Sequence, residues 1–394
     1  MPRDWLTAEQ REIRELVRTL ARERIAPRAA EIDKSTEFPW DVVELFRENG
    51  LFGLMFDEEH GGIGASALMT FVAIEEIAKV CATSALILAG QELGGLGIKL
   101  VGTDEQKARF LPRLASGEAL GAYALTEAGS GSDSAAMRSE ARRDGDEYVL
   151  DGSKRFITGA GVAGLYICFA KTDPAARHAG ISAFVVEAGT PGFEVGRIEP
   201  KMGIKGSTTG ELFFNECRVP AANRLGEEGD GFRLAMRILD RSRPGVAAQG
   251  LGLAQGATDY ALEYAKTRES FGQPIARHQL VAALLADMET RCEAARGLLY
   301  RCGRLIDDGV DGPELTKLSA MTKLFCTDTA MAVTTDAVQV LGGYGYMQEH
   351  PVERMMRDAK ITQIYEGTNQ IQRLVIAREM LRESRASEPA GTPR

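Results

Sequence analysis

One carboxylate stands in a setting that suits chemistry. In Ile364-Tyr365-Glu366-Gly367-Thr368-Asn369-Gln370 an acid sits between an aromatic and a glycine, with apolar neighbours. Burial there would raise its proton affinity and fit it for general-base work, whereas a turn glutamate in water would do nothing. A second stretch, Tyr123-Ala124-Leu125-Thr126-Glu127-Ala128-Gly129-Ser130-Gly131-Ser132-Asp133, joins small residues to hydroxyls at Thr126, Ser130 and Ser132. Its backbone N–H groups could approach an anion, although a solvated Ser/Gly loop has the same composition. Lys154-Arg155-Phe156-Ile157-Thr158-Gly159 puts an aromatic and a hydroxyl at a strand end, a pair able to flank a flat ring or to cap a core. Arg268-Glu269-Ser270-Phe271-Gly272-Gln273-Pro274 interrupts a helix with a cation able to pair a phosphate or a surface carboxylate. Gln339-Val340-Leu341-Gly342-Gly343-Tyr344-Gly345 ends another helix with backbone that can lie against a ligand, or serve only as a C-cap.

Other chemistries are disfavoured. The four histidines (His60, His178, His278, His350) are scattered and no HExxH occurs, so no metal site is expected. Gly159-Ala160-Gly161-Val162-Ala163-Gly164 fits GxGxxG, but Leu165 to Ala170 reads as a strand where a dinucleotide fingerprint must open a helix. No GxxxxGK[ST] is present. A net charge of −9 without a basic block argues against a nucleic-acid partner. The six cysteines form no CxxC pair and read as reduced and buried, which favours a cytoplasmic location. The start of the chain lacks the apolar core of a signal peptide, and Val80 to Val101, broken by Gln91, Glu92, Lys99 and glycines, reads as too polar for a membrane span.

The elements that must position these residues fall into three blocks. At roughly 150 residues per domain, 394 residues make two or three domains. Residues 1–121 read as helical: Leu6, Ile13, Leu16, Val17, Leu20 and Ile25 recur at three-to-four spacing, Thr7 and Gln10 form a possible capping box, and Asn49-Gly50 is a stop. Residues 122–231 carry short apolar runs between Asp-Gly and Pro-Gly turns, a β domain with antiparallel connections because no long helix separates the strands. Residues 232–382 return to helical period, with Gly245 to Arg268, His278 to Asp307 and Glu314 to Leu341 of bundle length. Residues 383–394 read as a flexible tail.

Together the segments YALTEAGSGSD, RFITGA, RESFGQPI, QVLGGYGY and IYEGTNQIQR resemble the flavin-dependent acyl-CoA dehydrogenases, in order and spacing, from about Leu6 to Arg382. The resemblance implies a mainly α fold: an N-terminal helical domain, a middle antiparallel β domain and a C-terminal four-helix bundle. It implies FAD, bound through Tyr123, Leu125, Thr126, Gly131, Ser132, Phe156, Ile157, Thr158, Thr368 and Gln370. Gln279 would also bind FAD, and Arg268, Phe271, Gln339, Gly342 and Gly343 would meet the FAD of a neighbour in a homotetramer built as a dimer of dimers. Ser132, Asp240, Arg243, Tyr365 and Gly367 would contact the acyl-CoA substrate. Glu366 matches the base that removes the α-proton while flavin N5 takes the β-hydride, its own backbone N–H polarising the thioester carbonyl with a ribityl hydroxyl. The presence of Glu366 follows the short- and medium-chain pattern, since isovaleryl-type and long-chain relatives carry the base near Arg243. The product would be a trans-2-enoyl-CoA within fatty-acid β-oxidation, and an electron-transfer flavoprotein would receive the electrons. A thioester on a carrier protein, or a non-catalytic flavin-binding scaffold, is the alternative. Gly94, Gly95 and Gly97 are expected to leave room for a longer or branched acyl chain.

Overall fold

The computed structural model describes residues 5–386. Six helices come first: α1 (Ala8–Leu20), α2 (Ala29–Ser35), α3 (Trp40–Glu48), α4 (Ala67–Ala78), α5 (Ala82–Val101) and α6 (Asp104–Ala115). Local signals start and stop them. The Thr7 hydroxyl accepts from the Gln10 N–H at 3.2 Å and the Thr7 N–H donates to the Gln10 side chain at 3.0 Å, the reciprocal cap its spacing anticipates. Asn49 and left-handed Gly50 (φ 65°) end α3. The N-terminus of α4 is completed from far along the chain, where the Asp307 carboxylate accepts from the N–H groups of Ala67 and Leu68 at 2.5 and 3.3 Å.

The sheet contains β1 (Gly121–Ala124), β2 (Glu140–Asp144), β3 (Glu147–Thr158), β4 (Leu165–Lys171), β5 (Ile181–Glu187), β6 (Phe193–Ile198), β7 (Thr209–Pro220) and β8 (Arg224–Leu225), in the order β6-β7-β3-β2-β4-β5-β8. Most pairs are antiparallel, but β1 and β2 run parallel to β4 and share one of its edges. This departs from the wholly antiparallel expectation because the β2–β3 hairpin is itself the crossover, so parallel alignment needs no helix. Leu165, Ile167 and Phe169 of β4 enter the core shared with the helices, while Tyr166, Cys168 and Ala170 enter a second core within the β domain. Burial on both faces explains the unbroken apolar runs of β4 and β5. Gly159 to Gly164 is the turn from β3 into β4, with no helix after it, as the sequence indicates.

The remaining helices are α7 (Gly231–Thr267), α8 (Gln279–Asp307), α9 (Pro313–Leu341), α10 (Pro351–Thr362) and α11 (Asn369–Ala386). Between α7 and α8, β9 (Glu269–Ser270) and β10 (Gln273–Pro274) form a hairpin whose turn residues Phe271 and Gly272 both have positive φ. Helix α7 begins at Gly231 rather than Gly245 and runs through Pro244. The proline removes a single donor, and packing of α7 against α4, α5 and α9 carries the helix past it. Helix α11 extends to Ala386, so residues 383–386, read as tail, are helical; residues 387–394 of that stretch lie outside the described residues. Arg357 of α10 ties the ends of the chain together, bonding the Asp33 carboxylate at 3.0 and 2.7 Å and the Glu353 carboxylate at 2.8 and 2.9 Å.

Helix α5 is long and apolar enough (mean hydropathy 1.2) to pass for a membrane span by composition alone. Two-thirds of it is buried within this chain (67%), against α4, α6, α7 and β1, which accounts for its composition. Its glycines serve mainly packing, although Gly95 also lines a small cavity of about 100 Å³ with Phe56, Glu92 and Leu96. A Cβ at Gly94 would stand 2.5 Å from the Gly121 backbone, one at Gly95 2.5 Å from the Phe56 ring, and one at Gly97 3.3 Å from Ile238. They let α5 lie directly on β1, Phe56 and α7. Gly94→Ala is therefore expected to cost about 1–3 kcal/mol through overpacking, measured as a lower thermal midpoint of the FAD-loaded protein.

Candidate active site

Glu366 lies in the short turn between α10 and α11, in the left-handed region (φ 51°) and followed by Gly367 at φ 87°. A β-carbon makes that conformation unfavourable, so the turn has to be held from outside. Lys323 of α9, fully buried, donates to the Gly367 carbonyl and to Asn369 Oδ1, each at 2.9 Å. Gln372 donates to the same carbonyl at 2.9 Å, and Asn369 donates to Asp328 Oδ1 at 2.7 Å. The Tyr365 hydroxyl donates to Gln249 of α7. Thr368 accepts from the Ile371 N–H at 3.3 Å at the start of α11, and Gln370 is exposed beside it.

The Glu366 carboxylate faces α7, where Ser242 donates to Oε2 at 2.6 Å. Burial raises its proton affinity; the Ser242 hydrogen bond and the charges of Lys323 and Arg243 pull the other way without cancelling it. Burial likewise pushes the Lys323 ammonium down to about 7, opposed by Glu366. Arg243 is buried and bonds Asp240 at 2.6 Å, and Asp240 also accepts from the Thr316 hydroxyl at 2.6 Å. The Arg243 Nε meets no partner in this region. On α5, Glu92 is buried with Oε2 unpartnered, and burial together with Glu366 pushes it up to about 8. Among the described residues the Glu366 N–H meets no acceptor, which leaves it free for a carbonyl oxygen.

A second group of residues gathers on the sheet. Phe156 sits at a β-bulge where Arg155 and Phe156 of β3 oppose Glu211 alone on β7. Its φ of 58° turns the ring out of the sheet, leaving 58% of it exposed. Arg155, bonded to Glu199 at 2.8 Å and to Glu211 at 2.5 Å, fixes the bulge from behind. Thr158 follows, partly buried and paired with Thr209. Ile157 and Leu125 point into the core, so only their backbone can reach a cofactor. The Ser/Gly loop is locked to β3 by a buried ion pair that no local motif marks: Lys154 Nζ lies 2.8 Å from Glu127, which also accepts from the N–H groups of Arg138 and Ser139 at 2.6 and 3.0 Å. The loop's Thr126 carbonyl accepts from the Arg155 N–H at 2.9 Å, and Gly131 and Ser132 are left exposed. Tyr123, partly buried, donates to the Ala235 carbonyl at 3.4 Å and feels the charges of Glu366 and Arg243.

A third set forms a groove of about 540 Å³, lined by Arg268, Ser270, Gly342, Gly343 and Tyr344 among others. Its lining includes none of Thr126, Phe156, Thr158 or Glu366. Phe271 projects beside it, 96% exposed, and Gln279 and Gln339 are exposed as well. A Cβ at Gly129, Gly131, Gly342 or Gly343 would meet nothing within 4 Å, so these glycines border open space rather than internal packing. Bare aromatics beside open glycine backbone, with a cation at Arg268, fit a large flat cofactor bearing phosphates.

Residues 7–118, 122–217 and 229–381 match the N-terminal, middle and C-terminal domains of acyl-CoA dehydrogenase. The chain belongs to the acyl-CoA dehydrogenase family. It is 49% identical to the cyclohexane-1-carbonyl-CoA dehydrogenase of Geobacter metallireducens, over 95% of this chain and 98% of that one. Butyryl-CoA dehydrogenase from Megasphaera elsdenii superposes with a TM-score of 0.93 at 43% identity, covering 97% of this chain and all of that one (100%). An acyl-CoA dehydrogenase complexed with FAD, from Bacillus anthracis, superposes with a TM-score of 0.91 at 33% identity, over 98% of this chain and 69% of that one. Like its family, this oxidoreductase is a flavoprotein whose cofactor is FAD.

Ser242, Lys323 and Gln249 belong to no local motif because each acts on a partner distant in sequence, and Asn369 and Gln372 join them only once the turn is folded. Lys323 alone left a trace: a lysine on a helix face otherwise made of Ser319, Ala320, Cys326, Thr327 and Ala330. Burial alone would raise the Glu127 carboxyl, but Lys154 and the loop N–H groups outweigh it and hold it below the usual range. Its contribution to stability is thus full above about pH 4.3, the unfolded value, and is lost as pH falls through the lower folded value. Lys154→Met should cost about 3–5 kcal/mol by leaving Glu127 buried and unpaired, measured by chemical denaturation with FAD retention followed in parallel.

Proposed function

We propose that the chain oxidises a short- or medium-chain acyl-CoA, branched ones included, to the trans-2-enoyl-CoA, with Glu366 as the base that takes the α-proton. The observation that carries this reading is the Glu366 turn itself. A partly buried carboxylate is held in an unfavourable backbone conformation by surrounding side chains, with a free N–H on the same residue. Burial makes the carboxylate a stronger base than one in water, while Ser242, Lys323 and Arg243 oppose its protonation. The Glu366 N–H is free to bond the thioester carbonyl, which acidifies the α-carbon. FAD, when bound, supplies the acceptor for the hydride leaving the β-carbon. Phe156 and Thr158 would lie along its ring system and Thr126, Gly131, Ser132, Thr368 and Gln370 around it, with Leu125 and Ile157 contributing backbone. Asp240, Arg243, Tyr365 and Gly367 would hold the substrate, Arg243 from beside the base.

The groove at Arg268, Phe271, Gln279, Gln339, Gly342 and Gly343 would receive part of the FAD of a second copy, in a homotetramer. Exposed Phe271, Leu280 and Leu374 support that reading, since apolar side chains this bare suit an interface. An electron-transfer flavoprotein would take the electrons onward, in fatty-acid breakdown. Six free, buried cysteines suit the reducing conditions of the cytoplasm. A specialised acyl thioester on a carrier protein is the second reading, which the same chemistry would serve.

The test is anaerobic bleaching of the flavin by acyl-CoAs from butyryl to palmitoyl, branched ones included, with Glu366→Gln in parallel. One class of chain should bleach the wild type, and the variant should be slower by about 10²–10⁴-fold. Flavin that stays oxidised with every CoA thioester would remove this reading in favour of the carrier-bound substrate. Because the base must be ionised, the bleaching rate should rise with pH, at a midpoint above the range of a carboxylate in water.

A further inference from the structure

The cation beneath the catalytic turn is more than its hydrogen bonds require. Lys323 has no exposed surface (0%) and sits on α9 among Ser319, Ala320, Thr322, Cys326 and Thr327. Gln372 already donates to the Gly367 carbonyl at 2.9 Å, and Asn369 has its own bonds to Thr327 and Asp328 at 2.9 and 2.7 Å. A neutral donor would satisfy Gly367 and Asn369 with a far smaller desolvation cost than a buried ammonium. What a neutral donor lacks is charge beside the carboxylate.

We propose that Lys323 is a positioning residue for the reaction of Glu366, clamping the turn that carries the base and placing a positive charge next to it. The inference rests on the reading of Glu366 as the base. Two N–H groups of Lys323 reach the residues one and three positions past Glu366. They fix the carbonyl of Gly367, so the left-handed backbone at Glu366 cannot relax toward a right-handed turn. The charge acts against the other groups facing the carboxylate. From α5, Glu92 opposes a second negative charge; from β1 and the turn, the hydroxyls of Tyr123 and Tyr365 remain neutral. From α7 come Ser242, which donates a hydrogen bond, and Arg243, whose charge is shared with Asp240. Asp328 of α9 acts on the Lys323 ammonium instead, and Asn369 and Arg373 engage it at 2.7 and 2.9 Å. Arg243 is thus divided between two carboxylates, whereas the bonds of Lys323 go to neutral oxygens, and the charge of Glu366 opposes the burial that pushes the Lys323 ammonium down to about 7.

The test is the pH profile of flavin reduction by a good acyl-CoA substrate in FAD-loaded Lys323→Met, Lys323→Gln and Asn369→Ala. Both Lys323 variants should move the midpoint of the rising limb upward by about one unit, the scale of a single neighbouring charge. Lys323→Gln keeps a donor and so answers the question if the Met variant does not fold. Asn369→Ala, which loses one partner but no charge, should slow reduction without raising the midpoint. If the Lys323 variants lose rate equally at every pH, with the midpoint unmoved, the residue is only structural and the inference fails. If Glu366→Gln bleaches as fast as wild type, the base reading itself falls and takes this inference with it, a result distinct from an unmoved midpoint.

Discussion

A carboxylate suited to removing a weakly acidic proton, the role proposed for Glu366, must be poorly solvated yet also charged. Water would satisfy the second demand and defeat the first. The C-terminal helices resolve the conflict with fixed partners: a hydroxyl on α7 at 2.6 Å, an ammonium on α9 and a guanidinium on α7. These partners lie 124, 43 and 123 positions from Glu366 in the chain, so only the packing of α7 against α9 brings them together. That packing is the constraint on which the site depends. Any shift of one helix against the other would separate the carboxylate from the groups that oppose its protonation.

The same reasoning accounts for where the chain places its glycines. Gly252 and Gly256 of α7 would drive a Cβ to within 2.3 and 2.0 Å of carbonyl oxygens on α4 and just beyond it, and Gly94 plays the same part between α5 and β1. Close backbone approach brings the helices near enough for short polar side chains to reach across. Glycines at 129, 131, 342 and 343 serve the opposite purpose, with open space where a Cβ would stand. One residue type thus marks both the tightest contacts and the barest surfaces, and only coordinates separate the two uses.

The sheet supplies a rigid platform for the other half of the site. The bulge at Arg155 and Phe156 turns an aromatic ring outward at the end of a long strand, and two ion pairs hold the distortion in place. A buried Lys154–Glu127 pair then fastens the Ser/Gly loop beside it. A loop of small residues has little side-chain packing of its own, so its conformation must be borrowed from charged groups beneath.

Much of this was legible in the chain itself. Helical period, the Thr7 cap, the Asn49-Gly50 stop, strand runs broken by turns, and five motifs in register were enough for the family, the three-part fold and the candidate base. These features are local, set by backbone propensity and by the spacing of apolar residues within one element, so order along the chain preserves them. What only the tertiary structure decided was everything that depends on two distant segments meeting. It pressed Gly94 of α5 onto β1 while leaving Gly95 at a small cavity, gave apolar α5 a buried place, and put β1 and β2 parallel to β4. It also showed that Ser242 and Lys323 attend Glu366, since hydrogen bonds and charge act through a few ångströms of space, whatever the separation in sequence.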